Sequence, residues 1–224
     1  MWNNVKMQLL RTKRIDEKIL SLVDPTEFEV KKQEIDLEWK QKNDEAKQTG
    51  IAVHDAIRNA LVTDYDNAVK EYCLEGPLQS SDLFLTAASG LFPEHRMELL
   101  VDEDVILIGI ADMITIKDGV VNCIDWKTDE DGIKFKSRYD MAKKSSKRLC
   151  YPLSKFEDCS GVNYQLQLSL YMWMILKLRP DLKPGKLQIV HIKDMKIRNV
   201  YDVEYLEKDI EKLIKWHVKS LKLK

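Results

Sequence analysis

Apolar positions recur at helical spacing over residues 1–23 (Val5, Leu9, Leu10, Ile15, Ile19 and Leu22), and Asp24-Pro25-Thr26 ends that amphipathic pattern. The next segment, EFEVKKQEIDLEWKQKNDEAKQ, keeps a sparse apolar side at Phe28, Ile35 and Trp39 among dense charge. It predicts a second helix, which Asp24 or Thr26 can cap. Residues 1–48 therefore read as an N-terminal helical arm, and 49–224 as the compact domain. Thr49-Gly50 is expected to start a separate helix, IAVHDAIRNALV, with Ile51, Ala52, Ile57 and Leu61 on apolar faces and His54 on its first turn. Glu75-Gly76-Pro77 breaks the chain, and SSDLFLTAASGLF can form a short helix ending near Gly90.

From Phe92 the strands begin. PEHRMELLV and DVILIGIAD read as a hairpin turning at Asp102-Glu103. A second hairpin, GIADMITIKDGVVNCIDWKT, turns at Lys117-Asp118-Gly119, because Asp-Gly tolerates the positive φ angles of tight hairpin turns. Ile106, Ile108, Ile110, Ile114 and Ile116 give its first strand apolar, β-branched character. With the turn centred between Asp118 and Gly119, Asp112 and Asp125 are equidistant from it and oppose each other on one sheet face, roughly 5 Å apart. Lys127 projects from the same face and Trp126 from the other. Counting from the first turn puts Glu94 near the level of Asp112, and Glu98 beside Leu107. Residues 129–160 lack periodicity, and VNYQLQLSLYMWMILKL is the strongest helix, ended by Arg179-Pro180. Strands KLQIVHIK and KIRNVYDV and a final helix, VEYLEKDIEKLIKWHVKSLK, complete an α+β order.

Composition narrows the chemistry. The 224 residues carry a formal net charge of −1, so nucleic-acid binding would need a local basic patch. One such patch is 134–148, with Lys134, Lys136, Arg138, Lys143, Lys144, Lys147 and Arg148 beside Phe135, Tyr139 and Tyr151. A long irregular insertion of this kind suits a flexible phosphate-bearing strand, or else is a solvated loop. Cys73, Cys123, Cys150 and Cys159 form no C-x-x-C pair, which argues against a zinc ribbon or a disulfide scaffold. No segment matches a signal peptide or a membrane span, so the expected location is the cytoplasm, with no membrane partner. Two opposed carboxylates repel unless a cation sits between them, and a hard divalent ion such as Mg²⁺ suits oxygen ligands. The alternative is a surface hairpin with ordinary salt bridges.

The chain resembles the PD-(D/E)XK nuclease superfamily, and within it the RecB-like exonuclease branch. GIAVH is similar to the branch's first motif, FPEHRM to its glutamate strand, GIAD and IDWKT to its two aspartate motifs, and YQLQLSLY to its helix motif. The IDWKT strand also resembles that of the mitochondrial genome-maintenance exonuclease, which acts on single-stranded DNA, and compact phage-encoded members are similar too. The resemblance implies a restriction-endonuclease-like core of helix, three antiparallel strands, helix and strand. It implies that Asp112, Asp125, His54 and the main-chain carbonyl of Trp126 ligate Mg²⁺ or Mn²⁺. Glu94 would bind metal or orient water, Lys127 would activate that water, and Gln167 and Tyr171 would position DNA or brace the lysine.

The expected activity is metal-dependent DNA exonuclease action on single strands or free ends, in replication, recombination or repair. A flap or structure-specific endonuclease, or a catalytically silent nucleic-acid-binding module, is the alternative. Relatives with an iron–sulfur cluster carry three clustered downstream cysteines, and here only Cys150 and Cys159 are available, which argues against a cluster. No Walker A pattern occurs, so a helicase, polymerase or recombinase partner would be a separate chain.

Overall fold

The computed structural model describes residues 25–72, 74–137, 139–140 and 145–222. The expected helix at 1–23, together with Cys73, Arg138, Lys143 and Lys144, lies outside these residues. In chain order the elements are α1 (Pro25–Thr63), α2 (Tyr65–Glu71), a short 3₁₀ turn (Ser81–Leu83), β1 (Gly90–Asp102), β2 (Val105–Lys117) and β3 (Val120–Lys127). There follow β4 (Tyr139–Asp140), β5 (Ser145–Ser146), α3 (Ser160–Leu178), β6 (Lys183–Lys193), β7 (Lys196–Val203) and α4 (Glu207–Leu221). The chain divides into two compact units at Ala52/Val53. No helix among the described residues is long and apolar enough to cross a membrane.

The main sheet is mixed, in the order β1-β2-β3-β6-β7. The three strands of the antiparallel meander come from two tight turns, whereas β3 and β6 run parallel. A parallel pair needs a long crossover, and the 129–159 connection plus α3 supplies it. In the unit from Val53 onward, both sheet faces are covered. Leu168, Met172 and Ile175 of α3 and Ile210 and Ile214 of α4 pack with Phe92, Ile114, Cys123 and Ile189. Val53, Ile57 and Leu61 of α1 and Ala68 of α2 pack with Leu91, Met113, Trp126 and Val190. Neighbouring strand residues thus enter opposite clusters, as the two-residue period of a strand requires.

The structure corrects three local expectations and adds one finding. The helix does not restart at Thr49-Gly50, because α1 runs through both residues. An internal glycine costs a helix only about 1 kcal/mol, and the Thr49 hydroxyl bonds back to the Glu45 carbonyl at 3.0 Å, so neither residue stops it. The segment before Gly90 keeps only the 3₁₀ turn Ser81–Leu83, since β1 already starts at Gly90. Glu98 faces Ile108 and not Leu107, because the register shifts by one residue between Leu100 and Asp102 beside the turn. Finally, Ile114 and Ile116 are core residues, but Ile106, Ile108 and Ile110 point to solvent, Ile108 with 59% of its surface exposed. The faces exchange between Ala111 and Ile114, both of which enter the α3-side cluster.

Gly109 marks a close approach of β2 to α3. A Cβ there would stand 2.9 Å from Tyr171 Cε1 and 3.4 Å from Met174 Sδ, so the ring or the helix must move. Gly109→Ala is therefore expected to cost about 1–3 kcal/mol of stability by overpacking, read as a lower denaturant midpoint with unchanged slope.

Candidate active site

Strand register brings three acids to one level. Pro93 pairs with Met113 and His95 with Ala111, which leaves Glu94 opposite Asp112. Met113 pairs with Ile124, so the next position along puts Asp112 opposite Asp125, as the sequence predicts. Glu94 has φ 48°, in the left-handed region that a non-glycine residue occupies only under constraint. The same level is where alternation breaks in both strands, Phe92 and His95 flanking Glu94 on one face much as Ala111 and Ile114 flank Asp112.

His54 reaches this level from α1. Its Nδ1 lies 2.9 Å from Glu94 Oε1 and its Nε2 3.5 Å from Asp112 Oδ2. The ligating atoms of His54, Glu94 and Asp112 all fall within 4.8 Å of one another. The Trp126 amide donates to Asp112 Oδ2 at 2.7 Å, and hydrogen bonding from the Trp126 main chain also bears on His54. The indole itself packs into the opposite core, as the sequence expects. The sheet register and one helical histidine thus place His54, Glu94, Asp112 and the Trp126 main chain together.

Asp125 is buried, and Lys127 Nζ lies 2.5 Å from its Oδ2. Two residues of this neighbourhood escape the sequence reading. The Lys127 ammonium stands 4.7 Å from the centre of the Tyr164 ring, and the Tyr164 hydroxyl donates to Asp129 at 2.9 Å. Their positions carried a signal: Asp129 follows Lys127 by one strand period, and Tyr164 precedes Gln167 by one helical turn. Gln167 and Tyr171 do share a face of α3, where Gln167 Nε2 donates to the Tyr171 hydroxyl at 2.8 Å. Burial raises the Tyr171 phenol above its ordinary value, and the charges of Asp125 and Asp112 add to that shift.

The electrostatics are those of acids short of cations. Burial first, and then the neighbouring Asp125, push Asp112 up to about 7. Burial also raises Asp125, against the pull of Lys127. The Glu94 hydrogen bond raises His54, with burial opposing it. Although ion-paired with Lys127, Asp125 accepts no well-aligned hydrogen bond at either oxygen among the described residues. A buried carboxylate with a single lysine as counter-ion, beside a second, repelled one, suits a hard divalent cation, and the surrounding set of oxygen donors with one imidazole fits it. Glu94 and His54 are only part-buried, so the cluster is open on one side.

Within the basic stretch at 134–148, three of the described cations have partners close by. Lys134 pairs with Asp131 at 3.2 Å and Lys147 with Asp158 at 2.5 Å, while Arg148 donates to the Lys155 carbonyl at 2.5 Å. Phe135 is held between Gly161 and Tyr201. Lys136 is exposed; Arg138, Lys143 and Lys144 lie outside the described residues.

Comparison with known proteins gives one family. The model of the PD-(D/E)XK nuclease superfamily matches residues 21–222. No protein with a curated description matches the chain. Among solved structures, the crystal structure of SSO0001 aligns with a TM-score of 0.41 at 16% identity, covering 84% of this chain and 66% of that one, just under two thirds of its length.

The Asp112 shift has a definite sign. A carboxyl whose folded pKa lies above its unfolded value favours folding most at low pH, and loses that contribution as pH rises from about 4 through about 7. A three-unit shift amounts to on the order of 4 kcal/mol. In EDTA, Asp112→Asn is expected to melt above wild type at pH 8, with the gap closing by pH 4.5. Thermal melts at the two pH values check this, and equal melting points at pH 8 would refute it.

Proposed function

Since this chain belongs to the PD-(D/E)XK nuclease superfamily, we propose that it is a metal-dependent deoxyribonuclease of the RecB-like branch, trimming single-stranded DNA or free DNA ends in replication, recombination or repair. The fold is the α+β, restriction-endonuclease-like architecture of that superfamily, and the superfamily's divalent-metal chemistry needs donors such as these. We assign the nuclease domain to residues 49–224, with 1–48 as a helical arm. The observation that carries the reading is the single level across three strands where Glu94, Asp112 and Asp125 line up beside His54 and Lys127.

Asp112 and Asp125, with Glu94, His54 and the Trp126 carbonyl, would hold Mg²⁺ or Mn²⁺. When bound, that ion supplies Lewis acidity and a more acidic water for phosphodiester hydrolysis. The Lys127 ammonium would position the attacking water and donate hydrogen bonds to the phosphate oxygens as they gain charge. Tyr164 and Asp125 fix that ammonium from two sides, the ring below it and the carboxylate beside it. Gln167 and Tyr171, tied to each other, offer a polar pair on α3 for the DNA backbone. Glu94 also orients His54.

With end-labelled single-stranded DNA and Mg²⁺ or Mn²⁺, wild type is expected to yield a product ladder that EDTA abolishes. Asp125→Ala and Lys127→Ala should each lower the rate roughly a thousandfold, equivalent to about 4 kcal/mol of transition-state stabilisation, without loss of fold. No metal-dependent cleavage by folded wild type would overturn the nuclease reading. A circular single strand should resist the enzyme while its linear form is degraded; cutting of the circle would make it an endonuclease on the same site.

A further inference from the structure

A second surface, sharing no residue with the acidic cluster, runs along the outer side of α4. Ile210 and Ile214 turn one side of this helix into the core. A different side carries Lys208, Lys212, Lys215 and Lys219 at intervals of three and four, so their Cβ atoms stand about 5–6 Å apart in one row. Together with Trp216 and with Tyr151 from the 129–159 connection, they line an open groove of about 600 Å³. Its one acid is Glu211. Lys208, Lys215 and Lys219 enter no ion pair among the described residues, while Lys212 Nζ lies 5.5 Å from the Tyr151 ring centre.

The aromatic pair is what makes this more than a solvated helix face. Tyr151 is 62% exposed and Trp216 40%, with ring centroids 6.2 Å apart and planes 77° from parallel. Tyr151 is brought there by its own connection, which is pinned to α4 by the Lys155–Asp209 ion pair at 2.8 Å and to the core by Leu153. Large aromatic surface held in water beside unneutralised lysines lacks a partner of two kinds at once, one flat and apolar, the other anionic. An unpaired polynucleotide strand offers both in alternation, its bases to the rings and its phosphates to the lysines. A duplex keeps its bases stacked internally and leaves the rings uncovered.

We propose that the groove formed by α4 and Tyr151 binds single-stranded nucleic acid, holding a stretch of strand outside the catalytic cluster. As a substrate-holding surface it rests on the nuclease reading; as a binding surface it does not, and the two are tested separately. Binding of fluorescein-labelled dT30 is measured by anisotropy in EDTA, where cleavage is absent, over a range of salt. The triple variant Lys212→Glu/Lys215→Glu/Lys219→Glu is expected to bind at least tenfold more weakly, with the salt slope reduced by about two. Tyr151→Ala and Trp216→Ala should each weaken binding about tenfold, and Trp216→Phe should restore most of the loss by keeping a stacking face. All these positions are exposed, and melting curves confirm that the variants fold.

Unchanged dT30 affinity and salt slope in the folded triple variant would overturn the proposal. So would a loss confined to anionic lipid vesicles or to a polyglutamate peptide, which would assign the lysines to a different partner. If the variants lose dT30 binding but wild type cuts no DNA with any metal, the groove stands and the nuclease reading falls. If wild type cuts DNA and the groove variants bind as it does, the reverse holds.

Discussion

Two carboxylates that oppose each other across adjacent strands, Asp112 and Asp125, set the conditions that the rest of this structure meets. Their opposition comes from the β2–β3 turn, where Asp118 (φ 51°) and Gly119 (φ 74°) both take the left-handed conformation of a tight hairpin. A slip of one residue would send either acid to the other face of the sheet. Burial without enough partners raises both acids, so the arrangement carries unfavourable charge that a cation would relieve. A site of this kind trades some stability for affinity toward a cation.

The scaffold around the pair is built to keep it in place. β3 is central in the sheet, with β2 antiparallel on one side and β6 parallel on the other, and Asp125 and Lys127 are held by backbone pairing with β6. Packing of α3 beneath β2 is close enough at Gly109 that an added Cβ would press on the Tyr171 ring. Against this regular frame, Glu94 is the exception. Its positive φ and the break in alternation at its level are local strain, placed where β1 and β2 carry their acids and where α1 brings His54.

Charge elsewhere is divided between what is spent and what is available. Several basic groups of the 129–160 connection are used inside it, on Asp131, Asp158 and the Lys155 carbonyl, and help give shape to a chain with almost no secondary structure. The lysine row of α4 is not spent in this way, and it lies beside exposed aromatic surface. A near-neutral chain can therefore still present a local positive surface, which a net charge of −1 conceals.

Much was determined by the sequence itself, wherever short-range rules decide. The period-2 pattern and the Asp-Gly turn specify the hairpin, and with it the opposition of Asp112 and Asp125 and the face shared with Lys127. The apolar 162–178 segment specifies α3, and with it the Gln167–Tyr171 pair. The tertiary structure alone decided what depends on contacts between distant segments. Glu98 moved by one position because a bulge beside the Asp102 turn is invisible to residue counting. Ile106, Ile108 and Ile110 point to water because alternation breaks at Asp112, which local propensity cannot register. The continuity of α1 through Gly50 reflects the small cost of one glycine within a long helix. Tyr164 beside Lys127, and Tyr151 beside Trp216, pair residues 37 and 65 positions apart, and only packing of the crossover connection and the final helices brings such residues together.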